Sequence, residues 1–547
     1  MPEQPSYRSQ VLDHLGLVAG MFDELAIGDV LDQATQQNPE LRDLTVGEAV
    51  KAMVLNGLGF INQALYLVPR FFQNKPTYRL ISPRVAPAQL NDDALGRTLD
   101  TLYDYGVTEL YSLLAATAAE RLGLAPRFTH LDSTSFHVDG RYNSDDEPSE
   151  HVVHITKGYS RDHRPDLNQV MLELIVEHQA GIPVLMKPLS GNSSDGKEFG
   201  HIVHEHIAQL QTTYGTTYLV ADSALYSDDN LQKLAETHIK WITRVPATLS
   251  EAQAALTHAN PHTMMPLSEG YRYQLLHSTY GGVAQRWALI YSEPRQPQAQ
   301  RTADKQWRKQ SDQDLKAFQK LCHTAFACEA DAHAALEREL KGKPRWLEVH
   351  SEIIAHPQDA GKGRPRKDAS PAGYQWQLVA TVSVNSLQVV QEVLRKACWI
   401  VGTNVLESAA LSDQDLIGTS KDQGGVERGF RFLKDPLFLA SSVFVKKPER
   451  IMALSFIMVL CLLVYRLAEF RLRSRLAETQ QTISDQVQKP TARPTMRWVF
   501  QCFEGMELLH VQTTATSFVL VLRLLPVHRL ILQLLGPLYE KLYNLSG

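Results

Sequence analysis

The spacing of apolar residues changes along the chain, and this change marks its organisation. Up to about residue 124 the apolar residues recur at helical spacing, and Leu95, Leu99 and Leu102 share one face of a helix that is predicted to start at residues 91–94. The sequence Thr45-Val-Gly-Glu48 has the form of a capping box and predicts a helix through Leu55. The first region is therefore predicted to be helical.

From residue 125 the apolar and polar residues alternate with a period of two. Residues 127–138 read RFTHLDSTSFHV, which predicts a strand with two distinct faces and one aspartate, Asp132, in its middle. The later elements are predicted, in chain order, as strands at 151–156 (weaker), 169–177 and 183–189, a helix at 195–212, a strand at 218–221, a helix at 228–237 and a strand at 240–245. This order of three clear strands followed by a helix, a strand, a second helix and a last strand is the order of ribonuclease H-like folds.

Residues 246–385 are predicted to be an insertion into this core. Alternation predicts strands at 271–276, 286–291 and 375–382, whereas the polar residues 304–339 are predicted to be helical and residues 351–371 a loop. The loop contains GKGRPRK at 361–367. Basic residues around Gly-Arg-Pro can lie in an A·T-rich minor groove, but a solvated loop is the interpretation that we favour.

The chain is predicted to return to the core with a strand at 398–405 and a helix in KDQGGVERGFRFLKDP. Val426, Phe430 and Leu433 recur there at helical spacing, and Glu427 and Lys434 lie two turns apart on one face. The most apolar run, residues 451–465, is short for a membrane span and predicts a buried helix. Residues 481–493 are predicted to be a polar linker, and residues 494–547 a last helical segment.

Length and composition limit the class of protein. A chain of 547 residues is expected to fold as three or four units. The net charge of −5 argues against a protein that only coats nucleic acid, so any DNA binding must use local basic patches. Five scattered cysteines do not predict a disulfide framework, and Cys322 and Cys328 match no standard zinc spacing. The N-terminus has no apolar signal-peptide core, so we expect a cytoplasmic protein.

Three carboxylates stand out by their positions. A carboxylate in mid-strand, as at Asp132, is unusual; taken alone, it would more often be an edge-strand or turn residue. Asp222 follows an apolar strand, and Glu427 lies on the helix described above. Hard divalent cations such as Mg²⁺ prefer oxygen ligands of this kind, and a pair of such ions can promote phosphodiester cleavage.

The chain resembles bacterial insertion-sequence transposases of the DDE type, in the long version with an extra N-terminal helical domain. The resemblance is carried by HLDSTSFH, GYSRDHRPDLNQVMLEL, the GNSSD turn, VADSALYS and VERGFRFLK, between about residues 125 and 450. It implies an α/β fold in which a ribonuclease H-like core is interrupted by a β-rich insertion, with helical N- and C-terminal domains. The expected boundaries are 1–124 (helical, DNA-binding or assembly), 125–245 (first part of the core), 246–385 (insertion), 386–480 (return of the core) and 481–547 (helical C-terminal segment).

The resemblance also implies the activity. Asp132, Asp222 and Glu427 would be the catalytic residues and the ligands of two Mg²⁺ ions, with Mn²⁺ able to substitute. The protein would bind the terminal inverted repeats of its own element as a homodimer on paired ends. It would hydrolyse a phosphodiester at each end, and the freed 3′-hydroxyl would attack other phosphodiesters, finally in the target DNA. No membrane partner is implied.

The resemblance implies DNA contacts near Glu427, although the family signature is incomplete here. Lys434 matches the lysine of the family's Tyr-x2-Arg-x3-Glu-x6-Lys signature, but Ser420 stands at the tyrosine position and Gln423 at the arginine position. Either other cations take these roles, with Lys421 and Arg428 as candidates beside Arg431, or activity is reduced. The alternatives are a DNA-binding protein that no longer cuts and a metal-dependent nuclease without strand transfer.

Overall fold

The computed structural model describes residues 6–36, 43–60, 65–124, 127–138, 152–159, 164–193, 218–341, 346–358, 371–421, 424–434, 447–513 and 516–545. For residues 65, 420, 421 and 424–427 it describes the backbone alone. The chain divides into two compact units. Unit 1 consists of Met1–Thr243, Gly281–Val283 and Gly418–Gly547, and unit 2 of Arg244–Tyr280 and Ala284–Ile417.

The N-terminal region of unit 1 is helical, as predicted, after one short strand. The capping box is formed: the Thr45 hydroxyl accepts the Glu48 N–H at 3.1 Å, and the Glu48 carboxylate accepts the Thr45 N–H at 3.0 Å. The Asn91 side chain starts another helix by accepting the Ala94 N–H at 3.0 Å. The elements are β1 (Ser6–Val11), α1 (Leu15–Glu24), α2 (Ile27–Ala34), α3 (Val46–Gly57), α4 (Val68–Phe72), α5 (Thr77–Leu80), α6 (Asp92–Tyr105) and α7 (Val107–Arg121).

A mixed sheet follows, with the strands that the alternating pattern predicted. Its order in unit 1 is β4-β3-β2-β5-β6, where β3 runs antiparallel to both β2 and β4, and β2, β5 and β6 are parallel. The weaker strand predicted at 151–156 is wrong for its described residues, which make only the isolated bridge Thr156–Gln169. The helix predicted at 195–212 lies outside the described residues. The bounds are β2 (Phe128–His137), β3 (Gln169–Glu177), β4 (Pro183–Ser190), β5 (Tyr218–Ala221), α8 (Asp228–Glu236) and β6 (Lys240–Arg244).

Unit 2 has its own strands and helices. The strands β13, β9, β8 and β7 lie side by side and antiparallel, and a second sheet has the order β10-β12-β11. The loop predicted at 351–371 is wrong up to Gln358, because β11 continues to that residue, with mostly apolar, partly buried odd-numbered positions alternating with exposed even-numbered ones; residues 359–370, with GKGRPRK, are outside the described part. The bounds are α9 (Ser250–Thr257), β7 (Met265–Ser268), β8 (Tyr271–Ser278), β9 (Gln285–Ser292), α10 (Gln296–Cys322), β10 (Ala325–Phe326), α11 (Glu329–Leu340), β11 (Leu347–Gln358), β12 (Gly373–Val384), α12 (Ser386–Ala397), β13 (Cys398–Thr403) and α13 (Asp413–Lys421).

The core of unit 1 is built around a long apolar helix. After α14 (Gly424–Leu433), α15 runs from Pro448 to Glu478, and it packs on α1, α3, α6, α7 and β4. It is long and apolar enough to cross a membrane, but 89% of its most apolar window is buried inside the protein. The Arg450 guanidinium ties its start to α6 through two 2.7 Å bonds to Asp100. The buried helix predicted at 451–465 is confirmed.

The C-terminal segment contains strands as well as helices, so the expectation of a purely helical segment is wrong. Strand β16 pairs with β1 and β17, and Ser6 lies opposite Gln512. Short runs of Leu and Val fit a strand as well as a helix, and pairing with β1 decides the outcome. The bounds are β14 (Ile483–Ser484), β15 (Pro490–Thr491), α16 (Met496–Cys502), β16 (Glu507–Gln512), β17 (Ser517–Leu522), α17 (Pro526–Leu535) and α18 (Pro537–Leu542).

Candidate active site

Two of the predicted carboxylates lie side by side on adjacent parallel strands. Leu131 of β2 pairs with Ala221 of β5, so the next residues in register are Asp132 and Asp222. Neighbouring strands are about 4.8 Å apart, so the two aspartates leave the sheet next to each other. Apart from His137 at its end, Asp132 is the one residue of β2 that is not buried. The carboxyl end of β5 is where open α/β sheets commonly bind ligands.

The backbone around Asp222 is held from two directions. The Asp222 carboxylate accepts the Ala224 N–H at 2.9 Å, which starts a short turn of 3₁₀ helix immediately after β5. The Thr243 hydroxyl, buried at the end of β6, donates to the Asp222 carbonyl at 2.6 Å. On the neighbouring strand, the Asp132 carboxylate accepts the Ser133 N–H at 2.8 Å. These bonds fix where the chain turns at Asp222.

Helix α14, which carries Glu427, packs against β2 on the face that carries Asp132. The Lys434 ammonium lies 6.0 Å from the centre of the Phe136 ring, and Arg428 and Arg431 line a cavity together with His130. His130, Asp132 and Phe136 are separated by even numbers of residues, so they share one face of the strand. The helix therefore lies over the Asp132 face. The Glu427 side chain is outside the described part.

The apolar side of α14 holds it in this position. Phe430 and Leu433 are buried, and the Phe432 ring centre lies 4.5 Å from that of Tyr465 on α15. A Cβ at Gly429 would be 3.3 Å from Leu462, which shows how closely the two helices approach. The half-buried helix predicted for this stretch is confirmed, with its exposed side occupied by Arg428 and Arg431.

The predicted DNA-contacting cations do not all fall within the described side chains. Arg428 and Arg431 are exposed on α14, and Lys434 is half-buried over Phe136. The Lys421 side chain and the two signature positions, Ser420 and Gln423, lie outside the described part. The structure therefore brings Arg428, Arg431 and Lys434 together around β2 and leaves the role of Lys421 a prediction.

Sequence reasoning did not single out Thr243 or His130. The Thr243 hydroxyl supports Asp222, which no sequence spacing indicates because the two residues meet only through strand pairing. His130 is 2% exposed, and burial, with His178 nearby, lowers its pKa to about 4. Alternation along β2 could have placed His130 beside Asp132, since the two residues share a face.

The donor set at Asp132 and Asp222 fits a hard divalent cation. Both residues present carboxylate oxygens, which Mg²⁺ prefers, at one end of the sheet. Among the residues whose side chains are described, no group of three or more His, Cys, Asp or Glu is arranged to hold a metal ion. The third predicted ligand, Glu427, is not among those residues. The five cysteines are free.

Sequence-family models match two parts of the chain. A domain of unknown function (DUF4277) matches residues 7–116, and a transposase DDE domain matches residues 124–464. The second match covers more than half of the 547 residues. The chain belongs to the transposase DDE domain family. The transposase domain begins just before β2 and ends within α15, so it includes Asp132, Asp222 and the helix of Glu427.

Among solved structures, the transposase chain is similar to a piggyBac transposase synaptic complex with hairpin DNA, determined by cryo-electron microscopy. The similarity covers 92% of this chain and 82% of that chain, with 10% sequence identity and a TM-score of 0.37. No curated protein matches the chain.

Proposed function

We propose that this transposase binds the terminal inverted repeats of its own insertion sequence and moves the element by cutting and rejoining DNA. Asp132, Asp222 and Glu427 would be its catalytic carboxylates. The observation that carries the proposal is the register of β2 and β5, which sets Asp132 beside Asp222 with helix α14 lying over the same face. The strand order β4-β3-β2-β5-β6, with the strand directions described above, supports a ribonuclease H-like core.

The carboxylates would hold two Mg²⁺ ions, and Mn²⁺ could replace them. The ions would supply positive charge at the scissile phosphate, which activates a water molecule and stabilises the leaving oxygen. Strand β5 and the Thr243 hydroxyl hold Asp222 in position, and β2 places Asp132 next to it. Because hydrolysis and strand transfer are both in-line displacements at phosphorus, the same carboxylates can serve both.

Cationic side chains around the carboxylates would position the DNA. Arg428 and Arg431 lie on α14, Lys434 directly follows that helix beside β2, and Lys421 lies at the end of α13. Contacts of this kind position a duplex without reading its sequence. The helical N-terminal domain would bind DNA or mediate assembly, and a homodimer would hold the two ends of the element. This activity is expected in the cytoplasm.

A cleavage assay tests the proposal. The purified protein is incubated with a plasmid that carries the DNA flanking its own gene, in Mg²⁺ or in EDTA. We expect cuts at two inverted-repeat boundaries that require the metal and are lost in Asp132→Asn, Asp222→Asn and Glu427→Gln. Glu236→Gln is the matched control, because Glu236 is an exposed carboxylate at the end of α8 opposite to the turn that follows Asp222.

Each alternative function has its own result. Unchanged cutting by any of the three carboxylate variants would remove that residue from the proposed site. Specific binding of the flanks by wild type without cutting in Mg²⁺ would indicate a DNA-binding protein that no longer cuts. Cutting without end specificity and without strand joining would indicate a nuclease.

A further inference from the structure

A large cavity opens beside the candidate active site, on the His130 side of Asp132. Its volume is about 1070 Å³, and it lies between the β3–β4 turn, α14, α15 and the segment that leads into α16. That volume slightly exceeds the roughly 300–1,000 Å³ that is typical of small-molecule sites. We call it the arginine cavity, because six arginines line it: Arg428, Arg431, Arg466, Arg473, Arg493 and Arg497.

The charge of the arginine cavity is opposite to that of the whole protein. Six arginines face two glutamates, Glu177 and Glu469, which leaves a formal charge of +4 with histidines neutral, in a chain whose net charge is −5. The Glu177 carboxylate is already occupied by the backbone N–H groups of Gln179, Ala180 and Ile182. Such a concentration of positive charge favours a polyanionic ligand.

Two of the arginines are fixed by the protein itself. The Arg466 guanidinium donates to the Gly181 carbonyl at 3.2 Å, and that of Arg473 donates to the Pro494 carbonyl at 2.8 Å. Both also contact Glu469, whose second carboxylate oxygen accepts the Met496 N–H. These bonds join the β3–β4 turn, α15 and the start of α16 into one wall.

Three other arginines are available for a ligand. The guanidinium groups of Arg428, Arg431 and Arg493 are exposed, and they make no ion pair or hydrogen bond with the described residues. They come from two different segments of the chain, α14 and the stretch before α16, and line the same cavity. Like charges repel each other, and no carboxylate among the described residues pairs with these three arginines, so an anion between them would stabilise the arrangement.

His130 also lines the cavity and lacks a partner. It is 2% exposed, and neither ring nitrogen has a hydrogen bond within the described part of the chain. Buried polar groups in proteins are almost always hydrogen-bonded, so an unpartnered imidazole on a cavity wall indicates a ligand or water there. His130 and Asp132 are two residues apart on one strand face, a separation of about 7 Å.

We propose that the arginine cavity holds backbone phosphates of the DNA strand next to the phosphodiester that is cut at Asp132. The position follows from the separation of about 7 Å between His130 and Asp132, which puts the cavity wall close to the phosphodiester at Asp132. The inference rests on the proposed function, since it requires DNA at Asp132. It adds Arg493, outside the transposase DDE domain match, to the residues that contact the substrate.

The experiment measures how DNA binding depends on salt. The full-length protein is titrated in EDTA against a fluorescently labelled duplex from the DNA flanking its own gene, over a series of salt concentrations. We compare wild type, Arg493→Gln and the matched control Arg529→Gln, which removes from α17 an arginine that is also exposed, makes no ion pair with the described residues and lies outside the cavity. Thermal melting verifies that all three proteins are folded.

The affinity falls with salt, and loss of one phosphate contact should reduce the magnitude of the slope of log K against log salt by about 0.9. We expect this decrease, with weaker binding, for Arg493→Gln and not for Arg529→Gln. Excess inorganic phosphate and a short single-stranded oligonucleotide are added as competitors in separate titrations. The oligonucleotide should weaken duplex binding of wild type more than that of Arg493→Gln.

Equal slopes for wild type and Arg493→Gln would overturn the inference. Duplex binding that is weakened by inorganic phosphate but not by the oligonucleotide would also overturn it. The cleavage assay separates this result from the proposed function. If wild type cuts at the repeat boundaries but the slopes are equal, the proposed function is supported and the role of the arginine cavity in DNA binding is contradicted. If Arg493→Gln has a slope of smaller magnitude but wild type does not cut, phosphate binding in the cavity is supported and the proposed cutting activity is contradicted. Absence of any DNA binding would overturn both.

Discussion

Acid should destabilise unit 1 through one buried histidine near the N-terminus, His14. The His14 ring is 4% exposed and stacks on Phe500, with ring centres 4.4 Å apart. Its Nε2 lies 2.7 Å from the Leu58 carbonyl, so in the neutral ring this nitrogen carries the proton, and Nδ1 has no partner among the described residues. Protonation would place a hydrogen on this buried nitrogen, for which none of the described residues offers an acceptor.

Burial therefore lowers the pKa of His14 from 6.5 to about 4; its hydrogen bond to Leu58 opposes this effect, and the Lys75 ammonium adds to it. The unfolded chain binds the proton below about pH 6.5 and the folded chain does not, so stability falls as pH falls from about 6.5 to about 4. Each pKa unit corresponds to about 1.4 kcal/mol, which gives at most about 3 kcal/mol. Between about pH 7 and pH 5 the expected loss is about 2 kcal/mol.

Two measurements check this value. Exchange of the His14 C2 hydrogen with deuterium, followed by mass spectrometry across pH, reports the native pKa directly. Urea unfolding of wild type and His14→Gln at the two pH values reports the free energy, and the amide of Gln can still donate to Leu58 without titrating. The variant should lose about 2 kcal/mol less than wild type on acidification. A native pKa near 6.5, or identical pH dependence in the two proteins, would refute the reasoning.

Two further predictions concern single buried contacts. Asp413→Ala should lower the free energy of unfolding of unit 2 by about 3–5 kcal/mol, because it leaves the buried Arg286 guanidinium, now 3.0 Å from Asp413, without its carboxylate. Urea unfolding followed by tryptophan fluorescence measures this loss, and an unchanged midpoint would contradict it. Thr243→Val should reduce DNA cutting while the protein stays folded, because the Asp222 carbonyl loses its 2.6 Å hydroxyl bond. Thr243→Ser should retain cutting; equal activity of the Val and Ser variants would show that this bond does not position Asp222.

The local pattern of apolar and polar residues was sufficient to predict the elements that carry the candidate site. Alternation in residues 127–138 predicted strand β2 with Asp132 in its middle, and the apolar run before Asp222 predicted β5. Helical spacing around Glu427 predicted α14. Strands β2 and β5 are buried and α14 is buried on one side, so the local sequence alone indicates each of these elements.

Contacts between distant segments could not be predicted in the same way. The register that aligns Asp132 with Asp222 depends on which strands pair, and the bond from Thr243 depends on the same pairing. The arginine cavity combines α14 and α15 with a segment that the sequence indicated only as linker or helix. Strand β11 was missed although its odd-numbered positions are mostly apolar and partly buried, because Ser351 and Ile354 interrupt the alternation between its two faces.

The pairing of β1 with β16 has a consequence for how the protein is made. Ser6–Val11 finds its partner in Glu507–Gln512, about 500 residues later in the chain. Ribosomes add about 5–20 residues per second, so the first strand waits roughly 25–100 s for its partner to be synthesised. Helices α1, α3, α6 and α7 likewise wait for α15, on which they pack. During translation these apolar surfaces are uncovered, so the nascent N-terminal region should depend on chaperones until nearly the whole chain has emerged.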